Sequence, residues 1–447
     1  MNGIGLRLLL SATIGLVALL VCPTFFAQNQ SPQPDGENAF FKDWLDGKNA
    51  SQIPWTVVVK SQGLSDYQRI QASVAVYVFL DKKDISDGAG KLLSVVRFTN
   101  AQGRSFEANE SRDLKVPTVN QSAEIVLNFS AYLLPGDYKV AVVVYSAASQ
   151  KHSVSHQTLH IAPIANDPLP AAWTDLPAVE FFPTHVPLGL VSDGLQLPLL
   201  TKRSVRLDVL ANATPSYAFK PDAAIYRRNL EVLFPELDVL SQITLKNGSL
   251  NVAALELDNH KITFEQDGLG KLDALALWRA LMAHSANVVD AGTLTGQTQN
   301  ARFFVSQVIE RASAPTTAPA NSTRVIVVLS NEMAFPKGED LSPIAPAGDC
   351  ECQIFYIRTH VLLDPQTMEA MRNLPQVGPT GPDTGLPDTG PSAPARLPRL
   401  RDKSTRIPNT DELEKTLAPL HPRVFDVKSP TDFRKAVAEI LREIGSL

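Results

Sequence analysis

Arg324-Val325-Ile326-Val327-Val328-Leu329-Ser330-Asn331 is the stretch on which the fold turns. Val325 to Leu329 runs without a polar interruption, which suits a strand buried on both faces and so needs covering layers above and below it. A helical pattern, Ala301–Ala312, precedes it, and a second strand, Gln353–Arg358, follows. Further out lie a strand at Val205–Leu210, a helix over 222–245 that Pro235 must interrupt or kink, and a helix at Lys271–Ser285. Leu250–Leu257 and Lys261–Phe264 read as a hairpin around Asp258-Asn259. Asp411–Leu417 reads as a short helix, Arg423–Val427 as a strand, and Ser429-Pro430-Thr431-Asp432 opens a last helix with a capping Ser, Pro at the first position and an acid in the first turn. Strands alternating with helices predict a doubly wound, Rossmann-like α/β domain over residues 199–447, carrying a Pro/Gly-rich insert at 366–407.

The texture before residue 163 is different. Thr56–Val59, Ala72–Leu80, Leu92–Phe98, Ala123–Phe129 and Tyr138–Tyr145 are β-branched and aromatic runs separated by the turn signals Asp87-Gly88, Gln102-Gly103 and Pro135-Gly136-Asp137. With no helical segment between them they predict an antiparallel β-sandwich at 53–162. Leu134-Pro135-Gly136-Asp137-Tyr138 and the strand after it resemble the late hairpin of immunoglobulin-like modules.

The 447 residues carry 41 basic and 46 acidic side chains, a net charge of −5, so no excess of cations is present for a nucleic acid partner. Proline is the unusual residue, 33 in all, and seven lie between Pro163 and Pro198 with seven more between Pro375 and Pro398. The first cluster reads as a linker at 163–198. Arg7 followed by the uncharged Leu8–Val21 has the layout of a secretory signal ending at Ala27, which places the mature chain in the periplasm or outside the cell. An uncleaved amino-terminal anchor is the alternative and the only membrane contact expected. Residues 28–52 then read as a polar linker. With Cys22 removed, Cys350 and Cys352 remain, able to form a local disulfide, to stay free or to pair between chains, and too few for a structural zinc site.

Val327–Leu341, Phe355–Arg358 and Leu420–Val427 resemble the corresponding parts of von Willebrand factor type A domains, most closely the VWFA-related acidobacterial family of exported proteins. In type A domains the first strand ends in D-x-S-x-S, and those side chains, with a Thr and an Asp from neighbouring loops, hold Mg²⁺ by oxygen. A hard divalent ion wants near-octahedral oxygens with at least one carboxylate among them. Here the run is Asn212-Ala213-Thr214-Pro215-Ser216, and Ser330-Asn331 stands where the family carries its second Asp. Thr293 and Thr295 lie near the third loop without a clear match. With both carboxylates replaced, the resemblance implies a degenerate, metal-free site in which Asn212, Thr214, Ser216 and Asn331 form a polar recognition surface at the carboxyl end of the sheet. The bland reading of the same residues is a set of turn formers.

Other signals carry less. His152, His156 and His160 sit in a strand-like setting, about 13 Å apart at ~3.3 Å per residue, beyond the reach of one ion and suited to a solvated face. Leu386-Pro387-Asp388-Thr389-Gly390 matches a sorting motif but lacks the hydrophobic span such motifs need behind them. No G-x-S-x-G, H-E-x-x-H or phosphate-loop motif occurs. The expectation is therefore an exported, non-enzymatic protein-binding or adhesion-type module without a cofactor, its partner an unidentified protein or cell-surface ligand. One alternative restores metal dependence through acids such as Glu332 or Asp290; another is a thiol-based redox enzyme at Cys350 and Cys352.

Overall fold

The computed structural model describes residues 41–80, 90–114, 123–182, 194–216, 223–268, 272–284, 299–313, 322–336, 338–342, 352–360 and 411–447. Leu386–Gly390, Cys350, Asp290, Thr293 and Thr295 lie outside them, as does the amino-terminal apolar stretch.

The amino-terminal half is a sandwich of two antiparallel sheets. Its strands are β1 (Ala50–Ser51), β2 (Trp55–Leu64), β3 (Ile70–Leu80), β4 (Gly90–Asn100), β5 (Ser105–Leu114), β6 (Ala123–Leu133), β7 (Gly136–Ser146), β8 (Lys151–Ile161) and β9 (Val179–Phe181). One sheet runs β1-β8-β7-β4-β5 and the other β2-β3-β6-β9. Alternation does the work expected of it. In β3 the residues Ala72, Val74, Val76 and Val78 point inward, where they meet Val96, Val140, Val142 and Leu127 in one buried cluster. Tyr138, just after the Pro135-Gly136-Asp137 turn, donates its hydroxyl to Leu134 O at 2.8 Å and Ala178 O at 3.0 Å, locking that turn to the segment that leads out of the sandwich.

Both expected linkers are partly built into the fold. Within 28–52, a helical turn over 41–45 sets Phe41 and Leu45 against Val143 and Val154, and β1 pairs with β8. That cover refines the histidine reading: half-buried His152 stacks on Trp44 with ring centroids 4.0 Å apart, and His156, though exposed, bonds Asn49 Oδ1 and Leu45 O, while exposed His160 lies beside Asp137. Within 163–198, β9 joins the second sheet of the sandwich, and Ala172, Leu176 and Leu195 are buried. Apolar residues spaced among the prolines give this segment something to bury, so it packs where a polar linker would not.

The carboxyl-terminal half contains β10 (Leu197–Leu199), β11 (Val205–Asn212), β12 (Ile243–Leu245), β13 (Gly248–Glu256), β14 (Lys261–Asp267), β15 (Thr323–Asn331), β16 (Cys352–Thr359) and β17 (Arg423–Val427). Its helices are α1 (Ala223–Ser241), which carries Pro235 in its interior, α2 (Ala274–His284), α3 (Asn300–Ser313), α4 (Glu412–Leu417) and α5 (Pro430–Gly445). The expectation of a doubly wound, Rossmann-like domain is corrected here. Among the described residues strand outweighs helix, 47% against 26%, with several antiparallel sheets. The sheet of this half, β14-β13-β11-β15-β16-β17, is mixed, and β10 with β12 forms a separate two-stranded sheet. The reason is connection length. Only Leu257–His260 join β13 to β14, too few residues for a helical crossover, so the chain folds back as an antiparallel hairpin.

β15 is buried along both faces, as its composition demanded. Val325, Val327 and Leu329 face a layer containing Leu233, Phe234 and Leu237 of α1 and Phe433, Val437 and Ile440 of α5; Ile326 and Val328 face Phe304 and Val308 of α3 and Leu413 and Leu417 of α4. Ser429 caps α5, its side chain accepting from Asp432 N.

Gly248 opens β13 at a φ of +154°, where an added Cβ would lie 1.9 Å from Val205 O, an atom of the neighbouring strand's backbone. Gly248→Ala is expected to cost about 1–3 kcal/mol in urea unfolding, the range for overpacking plus backbone strain. Gly103→Ala, at a φ of +78° with nothing within 4 Å of its Cβ, serves as the comparison that shows strain without the clash and should cost less.

Candidate functional site

The carboxyl ends of β11, β15 and β16 bring the four sequence-predicted residues together, and they are buried: Asn212 and Thr214 are each 1% exposed, Asn331 4% and Ser216 6%. Each is spent on the protein itself. Asn212 donates Nδ2 to Ser330 Oγ at 3.0 Å and accepts the Thr214 amide on Oδ1 at 3.0 Å. Thr214 Oγ1 accepts from Leu257 N at 2.7 Å, and Ser216 Oγ accepts from Ala334 N at 2.9 Å. Asn331 accepts the Thr359 hydroxyl at 2.5 Å and donates to Asn229 Oδ1, while Asn229 Nδ2 reaches back to Ala213 O at 2.8 Å. A buried amide or hydroxyl is stable only when so paired, and here the pairs tie four strand ends and α1 into one buried network. These side chains therefore hold the loops and do not present a recognition surface themselves.

Asn229, Thr359 and Asp411 belong to this constellation although the sequence did not single them out as site residues. Asp411, the cap of α4, accepts from Met333 N and Leu413 N, each at 3.1 Å, and from the hydroxyl of buried Tyr356 at 2.6 Å. Burial pushes its carboxyl up, against the lowering pull of Tyr356, Met333 N and nearby Arg358. A signal for it existed in Asp411-Glu412-Leu413-Glu414, acids clustered at a helix start. On the far side Glu256, at the end of β13, is pushed up to about 7 by burial and then by Asp258, with Asn259 donating to it at 3.0 Å.

The rim above β16 and β17 is charged. His360 lies between two carboxylates, 2.6 Å from Asp426 and 3.4 Å from Glu332. Arg358 bonds Asp426 at 3.0 Å and Glu414 at 2.5 Å, and Lys428 sits 2.7 Å from Asp426. Burial pushes the Asp426 carboxyl up, but hydrogen bonds from His360, Lys428 and Arg358 outweigh it and hold the group well below the usual carboxylate range. Glu332, an acid considered as a metal ligand, is thus engaged by His360. Among the described residues no three His, Cys, Asp or Glu side chains converge as a metal cage. Cys352 is disulfide-bonded and offers no thiolate in this state.

No family model and no curated protein matches the chain. Solved structures are similar only at low scores. A Bordetella pertussis protein solved under the name ApaA is 11% identical, the match covering 25% of this chain and 97% of that one at a TM-score of 0.17. A glycosyl hydrolase family 2 member from Bacteroides cellulosilyticus is 11% identical over 62% of this chain and 30% of its own, at 0.18. A β-glucuronidase from Bacteroides uniformis is 9% identical over 64% and 37%, at 0.19. Likenesses of this size carry no argument about fold or activity.

Proposed function

We propose that the chain is an exported, non-enzymatic protein-binding module that works without a bound metal, presenting the charged rim above β16 and β17 on a framework held by Asn212, Thr214, Ser216 and Asn331. The observation that carries this reading is the use made of Asn212. Its Nδ2 occupies the side facing Ser330, and its oxygen is committed to Thr214 N, so Asn212 offers neither a carboxylate nor an uncommitted oxygen to an ion. Mg²⁺ would meet an amide donor at the position where it needs an anionic oxygen. The resemblance to type A domains, whose crevice end contacts partners, supports a binding role over a catalytic one. Among the described residues, solvent-facing groups available for contact include Lys428, Glu414 and the partly exposed His360, Glu332 and Asp426.

Two measurements on the full chain test this. Calorimetric titration with Mg²⁺ should give no saturable heat, and micromolar binding that Asn212→Ala abolishes would overturn the metal-free reading. A photo-crosslinking residue at Lys428, used in intact producing cells, should trap a discrete partner protein that the same residue at Glu107 on the sandwich does not; no adduct, or the same adduct from both positions, would overturn the binding surface.

A further inference from the structure

The sandwich and the mixed sheet share a core in which Tyr67 and Tyr132 of the sandwich lie among Leu233, Phe234 and Leu237 of α1. A polar bond crosses the same contact, Gln68 Nε2 donating to Pro430 O at 3.0 Å, and Trp173 Nε1 of the connecting segment donates to Gln68 O at 2.9 Å. Glu236 projects from α1 inside this region. It is 2% exposed, and its Oε2 has no hydrogen-bond partner among the described residues. A buried ionised carboxylate without a partner is costly enough that the group keeps its proton instead.

Among the described residues no cation is placed to relieve it. The turn between β2 and β3 brings Asp66, Tyr67 and Arg69; β6 brings Tyr132, β9 brings Glu180, and α1 itself adds Asp238. Of these only Arg69 is positive, and its guanidinium is bonded to Glu180 at 3.1 Å and stacked over the Tyr132 ring at 5.4 Å. The charge acting on Glu236 is Asp66, which repels the ionised form.

We propose that the contact between the sandwich and the mixed sheet is a pH-responsive latch whose titrating group is Glu236, closed while that carboxyl is protonated and loosened as it ionises. Burial, then Asp66, raises the Glu236 carboxyl well above the ordinary glutamate value, and burial raises Asp66 as well. The sign follows. Below the unfolded glutamate value of about 4.3 both states are protonated and the group contributes nothing. As pH rises above it, the opened chain ionises first, so opening is favoured by up to about tenfold per pH unit until the folded group ionises too. An exported protein meets the pH of its surroundings directly, which makes such a latch usable.

The test is urea unfolding of the full chain followed by tryptophan fluorescence from pH 5 to 8, wild type against Glu236→Gln. Glu256 and Asp411 are also raised and give both proteins a common slope, so the readout is the ratio of their unfolding constants. That ratio should rise by up to about tenfold per pH unit. A ratio that does not change with pH overturns the latch. Should Glu236→Gln fail to fold, Glu236→Leu, which removes the titrating group and suits an apolar surrounding, takes its place in the same titration, and a ratio to wild type that stays flat with pH overturns the latch.

Discussion

Arg434→Leu is expected to lower the stability of the folded chain by about 3–5 kcal/mol, the cost of removing one partner from a buried ion pair. Arg434 is completely buried on α5 and grips the connecting segment by three bonds: Nε to Asp167 Oδ1 at 2.6 Å, Nη2 to Asp167 Oδ2 at 2.8 Å and Nη2 to Leu169 O at 2.7 Å. Its guanidinium also lies 4.7 Å from the centroid of the Trp173 ring. The substitution leaves Asp167 and Leu169 O facing a side chain that cannot donate. Because the penalty comes from the stranded partner more than from the lost attraction, Arg434→Leu combined with Asp167→Leu should regain most of the loss in the same urea titration. The pair also has a pH signature opposite to that of Glu236. Against the push of burial, the bonds from Arg434 and Leu169 N hold the Asp167 carboxyl low, so its contribution is present above the ordinary aspartate value of about 3.9 and is lost as pH falls below it.

Asp411→Ala is the second large effect, an expected loss of about 3–4 kcal/mol, from the missing helix cap together with a buried Tyr356 hydroxyl and Met333 N–H left without their acceptor. Asp411→Asn keeps an oxygen for the Met333 and Leu413 amides and lets Tyr356 accept in place of donating, so it should cost no more than about 1.5 kcal/mol. Equal losses for the two variants would show that the cap and the amide contacts are not what holds α4 to the end of β15.

Much of the candidate site was legible because the run from Asn212 to Ser216 and the Ser330-Asn331 pair each end an apolar strand, and the ends of β11 and β15, a parallel pair within the mixed sheet, lie side by side. What those side chains do was not legible. Whether an Asn at a strand end faces solvent or a neighbouring Ser depends on which strand lies beside it, and Asn229 and Thr359 come from elements 17 residues after and 147 residues after Asn212 in the chain. The hairpin after β13 was read correctly from Asp258-Asn259, yet its consequence, a mixed sheet where a doubly wound one was expected, was missed because the alternation of strands and helices elsewhere outweighed one short connection.

By itself the sequence determined which apolar runs are buried on both sides and where the last helix starts: Val325 to Leu329 needs an apolar layer above and below it, and Ser429-Pro430 opens a helix, whereas the polar strand Ser105–Leu114 carried no such pattern. The tertiary structure alone decided that the proline-rich segment would be an interface, that Arg434 would find Asp167 across 267 positions of chain, and that Glu236 would be closed in beside Asp66. Hydrophobic patterning is a local property that each segment carries with it, whereas the worth of a buried charge or amide is set by the partner that the packed core places within 3 Å of it.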